Sequence, residues 1–409
     1  MAKILQRHIV GLDIGTSKVT VAIGDVKEHG GLDVIGLGTA PCRGLRRGVV
    51  VNLDATVEGI RQAVEEAELM AGISVEQAYV SIAGGHIKGF NCRGVVAVAG
   101  GEVSREDVDR VLEAARAMAI PADRTVFHVL PQEYIVDDQD GIGDPVGMSG
   151  SRLEANVHIV TGSTSSIQNT GNCVNRAGIE VLDTVLGSIA AAETALTEDE
   201  RELGVALVDI GGGTTDIAVF RQGAVIHTSV LPAGGEHFTN DIAVGLRTGV
   251  PEAERIKKKH GCALAGLVTE GETIEVPSIG GRKPRTLSRK ILCEILEPRT
   301  EEIFTLVAED IQRAGLESSI NAGLVLCGGG SILEGVPEVA EQVFDLPVRR
   351  GLPSQIGGLV DVVASPDYAT VIGLLKYGER RRPDTRPVNP GVWIGKMGGS
   401  VRRWLGDFF

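Results

Sequence analysis

Aromatic side chains are scarce in this 409-residue chain: 8 Phe, 4 Tyr and 2 Trp, or 3% in all. Its hydrophobic residues, 43% against 23% charged, must therefore build cores from aliphatic side chains. That balance is globular, and the length allows about two to three domains. Paired cysteines are missing too. Cys42, Cys92, Cys173, Cys262, Cys293 and Cys327 stand apart with no C-x-x-C spacing, which excludes a zinc ribbon or thioredoxin-like motif and predicts buried thiols in a reducing cytosol. No run reaches the roughly 18 apolar residues of a membrane span. Lys3, Arg7 and Asp13 break the apolar N-terminus, so neither export nor a transmembrane segment is expected. Net basic charge is also absent, and a formal charge of -14 argues against nucleic-acid binding. The P-loop and the G-x-G-x-x-G dinucleotide fingerprint are both lacking.

What is present is a repeat. Residues 9–23 read as two β-rich runs hinged at Gly15 and Thr16. Residues 206–220 repeat them, with Asp209 standing where Asp13 stood and Gly211 where Gly15 stood. That separation is too long for a solenoid period and points to two duplicated halves. Helical periodicity over Asp54 to Ala71, and a helix opened at Ser104 by a capping box with Asp107, alternate with the strands. The class expected is α/β, as duplicated halves around a cleft.

Two insertions are expected. The first covers 83–162 and has its own strands, a helix and a Gly/Asp-rich loop. The second covers 229–317, where Arg282, Lys283, Arg285, Arg289 and Lys290 interrupt an acidic body; taken alone, that basic run reads as a solvated loop or hairpin. The first half would comprise 1–82 with 163–196 and 358–377, and the second 197–228 with 318–357. Residues 378–391, carrying Pro383, Pro387 and Pro390, read as an extended linker.

Each repeated turn offers successive backbone N–H groups and hydroxyls in the manner of an anion nest. Each follows an Asp at the end of an apolar strand, where a bare charge is costly unless it meets a cation or water. Mg²⁺, which keeps its waters and takes few carboxylates, suits Asp13 and Asp209. Lys18 adds a point charge for phosphates. A third glycine cluster follows the apolar run Leu324–Cys327. Glu254 and Lys257 lie three apart on a helix-like segment and either face one ligand or form a surface ion pair.

The last residues form a different device. Trp393, Trp404, Phe408 and Phe409 place four of the fourteen aromatics within 17 residues, and the segment from Lys376 onward is locally basic, with eight basic against three acidic residues. On a helix over 392–409, Trp393, Ile394, Met397, Val401, Trp404, Leu405 and Phe408 fall within an arc of roughly 120°. Lys396, Arg402 and Arg403 face the other way. This is the profile of a helix lying in a bilayer interface, with docking on the protein's own core as the alternative.

The paired turns, Gly328-Gly329-Gly330-Ser331 and the segment Ser365 to Leu374 together resemble the phosphate loops, adenosine motif and second connecting helix of the actin/Hsp70/sugar-kinase superfamily. Within it, Val129 to Tyr134, Gly141 to Pro145, Gly147-Met148 and Arg152 to Glu154 are similar to the bacterial cell-division family FtsA. The resemblance implies an ATP–Mg²⁺ cleft with Gly15, Thr16, Ser17, Lys18, Gly211, Gly212, Gly213, Thr214 and Thr215 on the phosphates and Asp13 and Asp209 toward the metal. Gly235, Glu254, Lys257, Gly329, Gly330 and Ser331 would surround the rest of the nucleotide. It identifies no catalytic base and implies at most weak hydrolysis. It further implies self-assembly into filaments through 83–162, anionic lipid as a ligand of the tail, and other division proteins as partners. The C-terminal peptide of the tubulin-like FtsZ would bind the second insertion, with Arg289 and Arg299 as contacts; Arg299 would otherwise pair with Glu302 on its helix. The place implied is the cytoplasmic face of the inner membrane at the division site. Alternatives are a small-molecule kinase using the same cleft and a pilus-assembly adaptor.

Overall fold

The computed structural model describes residues 7–382 except 28–29, 118–119, 279 and 281–282. The chain opens with antiparallel strands β1 (His8–Ile14), β2 (Lys18–Val26) and β3 (Leu32–Pro41), then a short ribbon, β4 (Leu45–Arg46) and β5 (Val49–Val50). Helix α1 (Leu53–Ala71) starts at Asn52, whose side chain accepts from the Ala55 N–H, and stops at Gly72 in the left-handed region. Strand β6 (Gln77–Ile82) then pairs parallel with β1. β1 and β2 are apolar along nearly their whole length because helices cover both faces of the sheet.

The first insertion follows as β7 (Lys88–Ala97), α2 (Arg105–Arg116), β8 (Arg124–Val136), β9 (Gln139–Ile142) and β10 (Arg152–Ser163). Its sheet has the order β7-β10-β8-β9, with α2 packed on one face and the expected Ser104/Asp107 capping box formed. The chain re-enters the first half through α3 (Thr164–Arg176), β11 (Glu180–Leu186) and α4 (Gly187–Ala195), and α5 (Glu198–Leu203) leads out of it.

The second half repeats the first. β12 (Val205–Ile210), β13 (Thr215–Arg221) and β14 (Ala224–Leu231) form its antiparallel run. After α6 (Gly235–Gly245), α7 (Val250–His260), the hairpin β15 (Thr273–Val276) with β16 (Arg285–Ser288), and α8 (Arg289–Arg313), strand β17 (Leu324–Cys327) pairs parallel with β12. Helix α9 (Val336–Phe344) and β18 (Val348–Arg350) complete this sheet. The orders β11-β6-β1-β2-β3 and β18-β17-β12-β13-β14 correspond strand for strand. β19 (Gly357–Gly358) returns to β3, and α10 (Val360–Val363) leads to α11 (Ala369–Arg380), which packs on α4 between the halves.

Three sequence boundaries move. β14 stays in the second sheet to Leu231, past the 229 expected, because its register with β13 runs on to Leu231↔Thr215. The C-terminal part of α8 belongs to the second half rather than the insertion, since Phe304, Val307 and Ile311 fill that half's core. Helix α11 continues to Arg380, past the expected linker start at 378. Gly378 is there for contact: a Cβ on it would stand 2.6 Å from the Tyr79 ring and 2.7 Å from Ile9. Five cysteines are buried and Cys92 is half-buried, all as free thiols.

Candidate functional site

The hairpins β1–β2 and β12–β13 meet turn to turn. In both, the first glycine donates its N–H to the carbonyl three residues on: Gly15 to Lys18 at 3.0 Å, Gly211 to Thr214 at 2.9 Å. The turns touch so closely that a Cβ on Gly212 would lie 3.0 Å from the Ser17 Cβ, and one on Gly213 2.8 Å from Thr16 Oγ1. Between them and the second insertion lies a cavity of about 680 Å³ lined by residues from both halves.

Of the expected residues, Asp13, Gly15, Thr16, Ser17, Lys18, Asp209, Gly211, Gly212, Thr214, Gly235, Glu254, Lys257, Gly329 and Gly330 line this cavity. Gly213, Thr215 and Ser331 are not among its lining residues and brace it instead. Gly213 packs on the first turn, Thr215 Oγ1 donates to the Ala233 carbonyl, and Ser331 Oγ donates to the Gly328 carbonyl. The carbonyls of Gly211 and Gly212 accept N–H groups of Gly235 and Glu236 at 2.8 Å, fixing the start of α6 over the second turn. Lys257 donates to the Gly235 carbonyl at 2.9 Å and pairs with Glu254 at 2.7 Å. The ion-pair alternative is thus formed, and the pair stands at the cavity wall.

Three carboxylates form the floor. Asp13 accepts from Ser81 at 2.5 Å, Asp209 from Thr370 at 3.0 Å, and Asp216 from Thr214 at 3.0 Å. Burial pushes the Asp13 carboxyl up against its Ser81 hydrogen bond. Burial, followed by the nearby Asp13 charge, takes Asp209 to about 6; burial, followed by Asp209, takes Asp216 to about 8. Asp216 Oδ1 is buried and has no hydrogen-bond partner. Crowded, desolvated carboxylates with an unmet acceptor fit a hydrated divalent cation, which would relieve their repulsion. Among the described residues no group of three or more His, Cys, Asp or Glu side chains is placed to hold a metal ion by itself.

Asp216 went unassigned in the sequence. It sits in register opposite Asp209, where the first half has Thr20 opposite Asp13, so only the second copy carries the extra acid. Gly328, which opens the third glycine cluster, also lines the cavity. With φ +79° it requires a left-handed backbone, and a Cβ there would run into Asp209 Oδ1. Asp367 and Thr370, at the head of α11, complete the wall, and Lys18 pairs with Asp367 at 2.6 Å.

The two arginines expected at a partner contact have different settings. Arg289 lines the cavity, where its guanidinium meets the His260 carbonyl, Glu272 at 2.9 Å and Glu334 at 2.5 Å. Arg299 lies on α8, paired with Asp241 at 2.6 Å and with Glu302, the helix partner foreseen. The residues expected to face lipid, Trp393 to Phe408, and most of the linker lie outside the described residues. Among the described residues no helix is long and apolar enough to cross a membrane.

Residues 206–373 match the family model for the cell division protein FtsA, residues 84–161 that for the SHS2 domain inserted in FtsA, and residues 144–264 that for the type IV pilus assembly protein PilM. The chain is 54% identical to the cell division protein FtsA of Pseudomonas aeruginosa, covering 92% of this chain and 91% of that one. It is 45% identical to the FtsA of Neisseria meningitidis over 99% of both, and 40% identical to that of Escherichia coli over 97% and 98%. A solved PilM–PilN type IV pilus biogenesis complex shares the fold at TM-score 0.67 and 16% identity, covering 91% of this chain and 98% of that one. Spiroplasma citri MreB5 bound to ADP does so at TM-score 0.55 and 16% identity, covering 92% and 99%. The pilus and MreB structures establish the actin-like fold; near-complete coverage at 40–54% identity goes further, and places the chain in the FtsA family of cell-division proteins.

Proposed function

We propose that the cleft binds ATP with Mg²⁺, and that the protein polymerises on the cytoplasmic face of the inner membrane and tethers the FtsZ ring there. The observation that carries the nucleotide reading is the meeting of two matched glycine turns over three buried carboxylates in one cavity. In this reading Gly15 to Ser17 and Gly211 to Thr214 present N–H groups and hydroxyls to the phosphates, and Lys18 supplies a cation. Asp13, Asp209 and Asp216 orient the metal's water shell. Bound Mg²⁺ would neutralise phosphate charge. Because both halves contribute, occupancy would favour one closure of the cleft, a conformational signal suited to assembly. Glu254, Lys257 and Arg289 surround the nucleoside end.

Self-association through the first insertion, FtsZ peptide binding at the second with Arg299 as a contact, and lipid binding by the tail extend the family membership. The basic, aromatic segment 392–409 supports the last of these. The test of the cleft is Gly213→Glu. Its Cβ alone would press on Thr16 Oγ1 at 2.8 Å and on Arg47 Cα at 3.0 Å, so the longer side chain must part the turns. Loss of ATP binding in a nucleotide-displacement assay is expected, and unchanged affinity rejects the phosphate site.

A further inference from the structure

Lys18 is already engaged. It opens β2 immediately after the first turn, and its ammonium lies 2.6 Å from Asp367 Oδ2 and 4.4 Å from the centre of the Tyr368 ring. The pair is largely shielded, with side-chain exposures of 28% and 20%. Burial pushes the Asp367 carboxyl up, but the Lys18 charge and hydrogen bonds from Lys18 and Ser365 outweigh it and hold the group ionised. Three residues further on, Thr370 donates to Asp209. The head of α11 therefore grips the first turn through Lys18 and the second half through Asp209.

Asp367 cannot readily retreat. The α11 backbone is wedged on two sides: a Cβ on Gly11 would stand 2.7 Å from the Val371 carbonyl oxygen, and one on Gly373 would overlap the Ala190 carbonyl. A phosphate seated at the first turn needs the Lys18 ammonium that Asp367 holds, and leaves that carboxylate facing a second anion.

We propose that Asp367 is a fixed internal competitor for Lys18, a latch that weakens nucleotide binding and so keeps the bound nucleotide exchangeable. The proposal rests on the nucleotide reading above and adds a regulator to that site.

The test is calorimetric titration of the full chain with ATP and Mg²⁺, comparing the unaltered protein with Asp367→Asn, Lys18→Met and the double variant. The latch predicts about tenfold tighter binding for Asp367→Asn, equivalent to ~1.4 kcal/mol. It also predicts clearly smaller tightening by the same change in the Lys18→Met background, where only the carboxylate's own repulsion of the phosphate remains to be relieved. Weaker or unchanged binding by Asp367→Asn overturns it, the first by making Asp367 itself a ligand. Equal tightening with and without Lys18 also overturns it, leaving plain charge repulsion. If Asp367→Asn fails to fold by circular dichroism, Tyr368→Leu keeps the carboxylate and loosens the lysine. About threefold tightening is then expected, and none rejects the latch. Failure of the unaltered chain to bind ATP would reject the nucleotide reading itself.

Discussion

A methyl group at Gly373 would overlap the carbonyl oxygen of Ala190, because α11 and α4 cross there with their backbones in contact. Such overpacking costs about 1–3 kcal/mol when the surroundings can yield. Here the obstacle is helix backbone, so Gly373→Ala should sit at the upper end of that range and lower the denaturant midpoint without changing the far-ultraviolet spectrum of the folded state. An unchanged midpoint would show that the helices separate freely. This position also marks where residue-level reading stops. Clusters such as Gly211–Gly213 announce a turn because they follow an apolar strand and an Asp. Gly373 and Gly378, standing singly in a helix, look the same on paper whether they loosen a chain or admit a neighbour; Gly378 falls in the expected linker because the composition turns to Arg, Pro, Asn and Asp from that residue on. Asp216 was hidden differently: its role comes from facing Asp209 across a hairpin whose register only the folded sheet supplies.

Between elements, the first insertion is fastened to both halves by neutral histidines. On β10, His158 bridges Asn91 at 2.7 Å and Thr228 of β14 at 2.8 Å, while Gln132 and Asn91 donate to the Val225 and Ile226 carbonyls. On β8, the His128 Nε2 accepts the Leu186 N–H at 3.0 Å. Burial pushes both rings down to about 4, helped at His158 by His227 and His128 and at His128 by Arg381, against an opposing pull from Asp183. The unfolded chain takes up these protons near 6.5, before the folded chain does. Stability contributed by the neutral rings is therefore complete above pH 6.5 and is lost as pH falls toward 4, by about 2 kcal/mol per histidine at pH 5. Protection of β14 and β10 amides against hydrogen exchange, taken relative to the intrinsic rate at each pH, should fall between pH 7 and 5 in the unaltered protein and much less in His158→Gln. Equal loss of protection in both would acquit His158. The insertion was legible from its strand and turn pattern, but the seam was not, since its partners come from strands up to 135 residues apart.

Across the whole molecule, charge and aromatic content divide the chain. The body folds on aliphatic cores, and Phe220, Phe238 and Phe304 are its largest fully buried side chains. The basic excess counted from Lys376 onward shrinks once the fold is known: Lys376 pairs with Glu379, Arg380 with Glu193 at 2.6 Å and Arg381 with Asp183 at 2.7 Å. Beyond Arg382 there remain Arg386, Lys396, Arg402 and Arg403 against Asp384 and Asp407. On the proposed anchor reading, at about 1 kcal/mol per basic residue near an anionic surface, electrostatics alone would give a weak attachment. Gly395, Gly398, Gly399 and Gly406 would each set back helix formation by about 1 kcal/mol, and the aromatic residues would have to supply the balance. One tail would then be a marginal anchor, and an array of tails on the proposed filament would bind by effective concentration. Co-sedimentation with anionic liposomes should therefore rise steeply with protein concentration in the presence of ATP and vanish for a chain ending at Gly391. Trp404→Glu should remove more binding than Arg402→Gln, because it strikes the apolar contribution and adds a repelled charge. Equal sedimentation of the full and shortened chains would end the anchor reading, and a linear concentration dependence would keep the anchor but remove the filament from its mechanism.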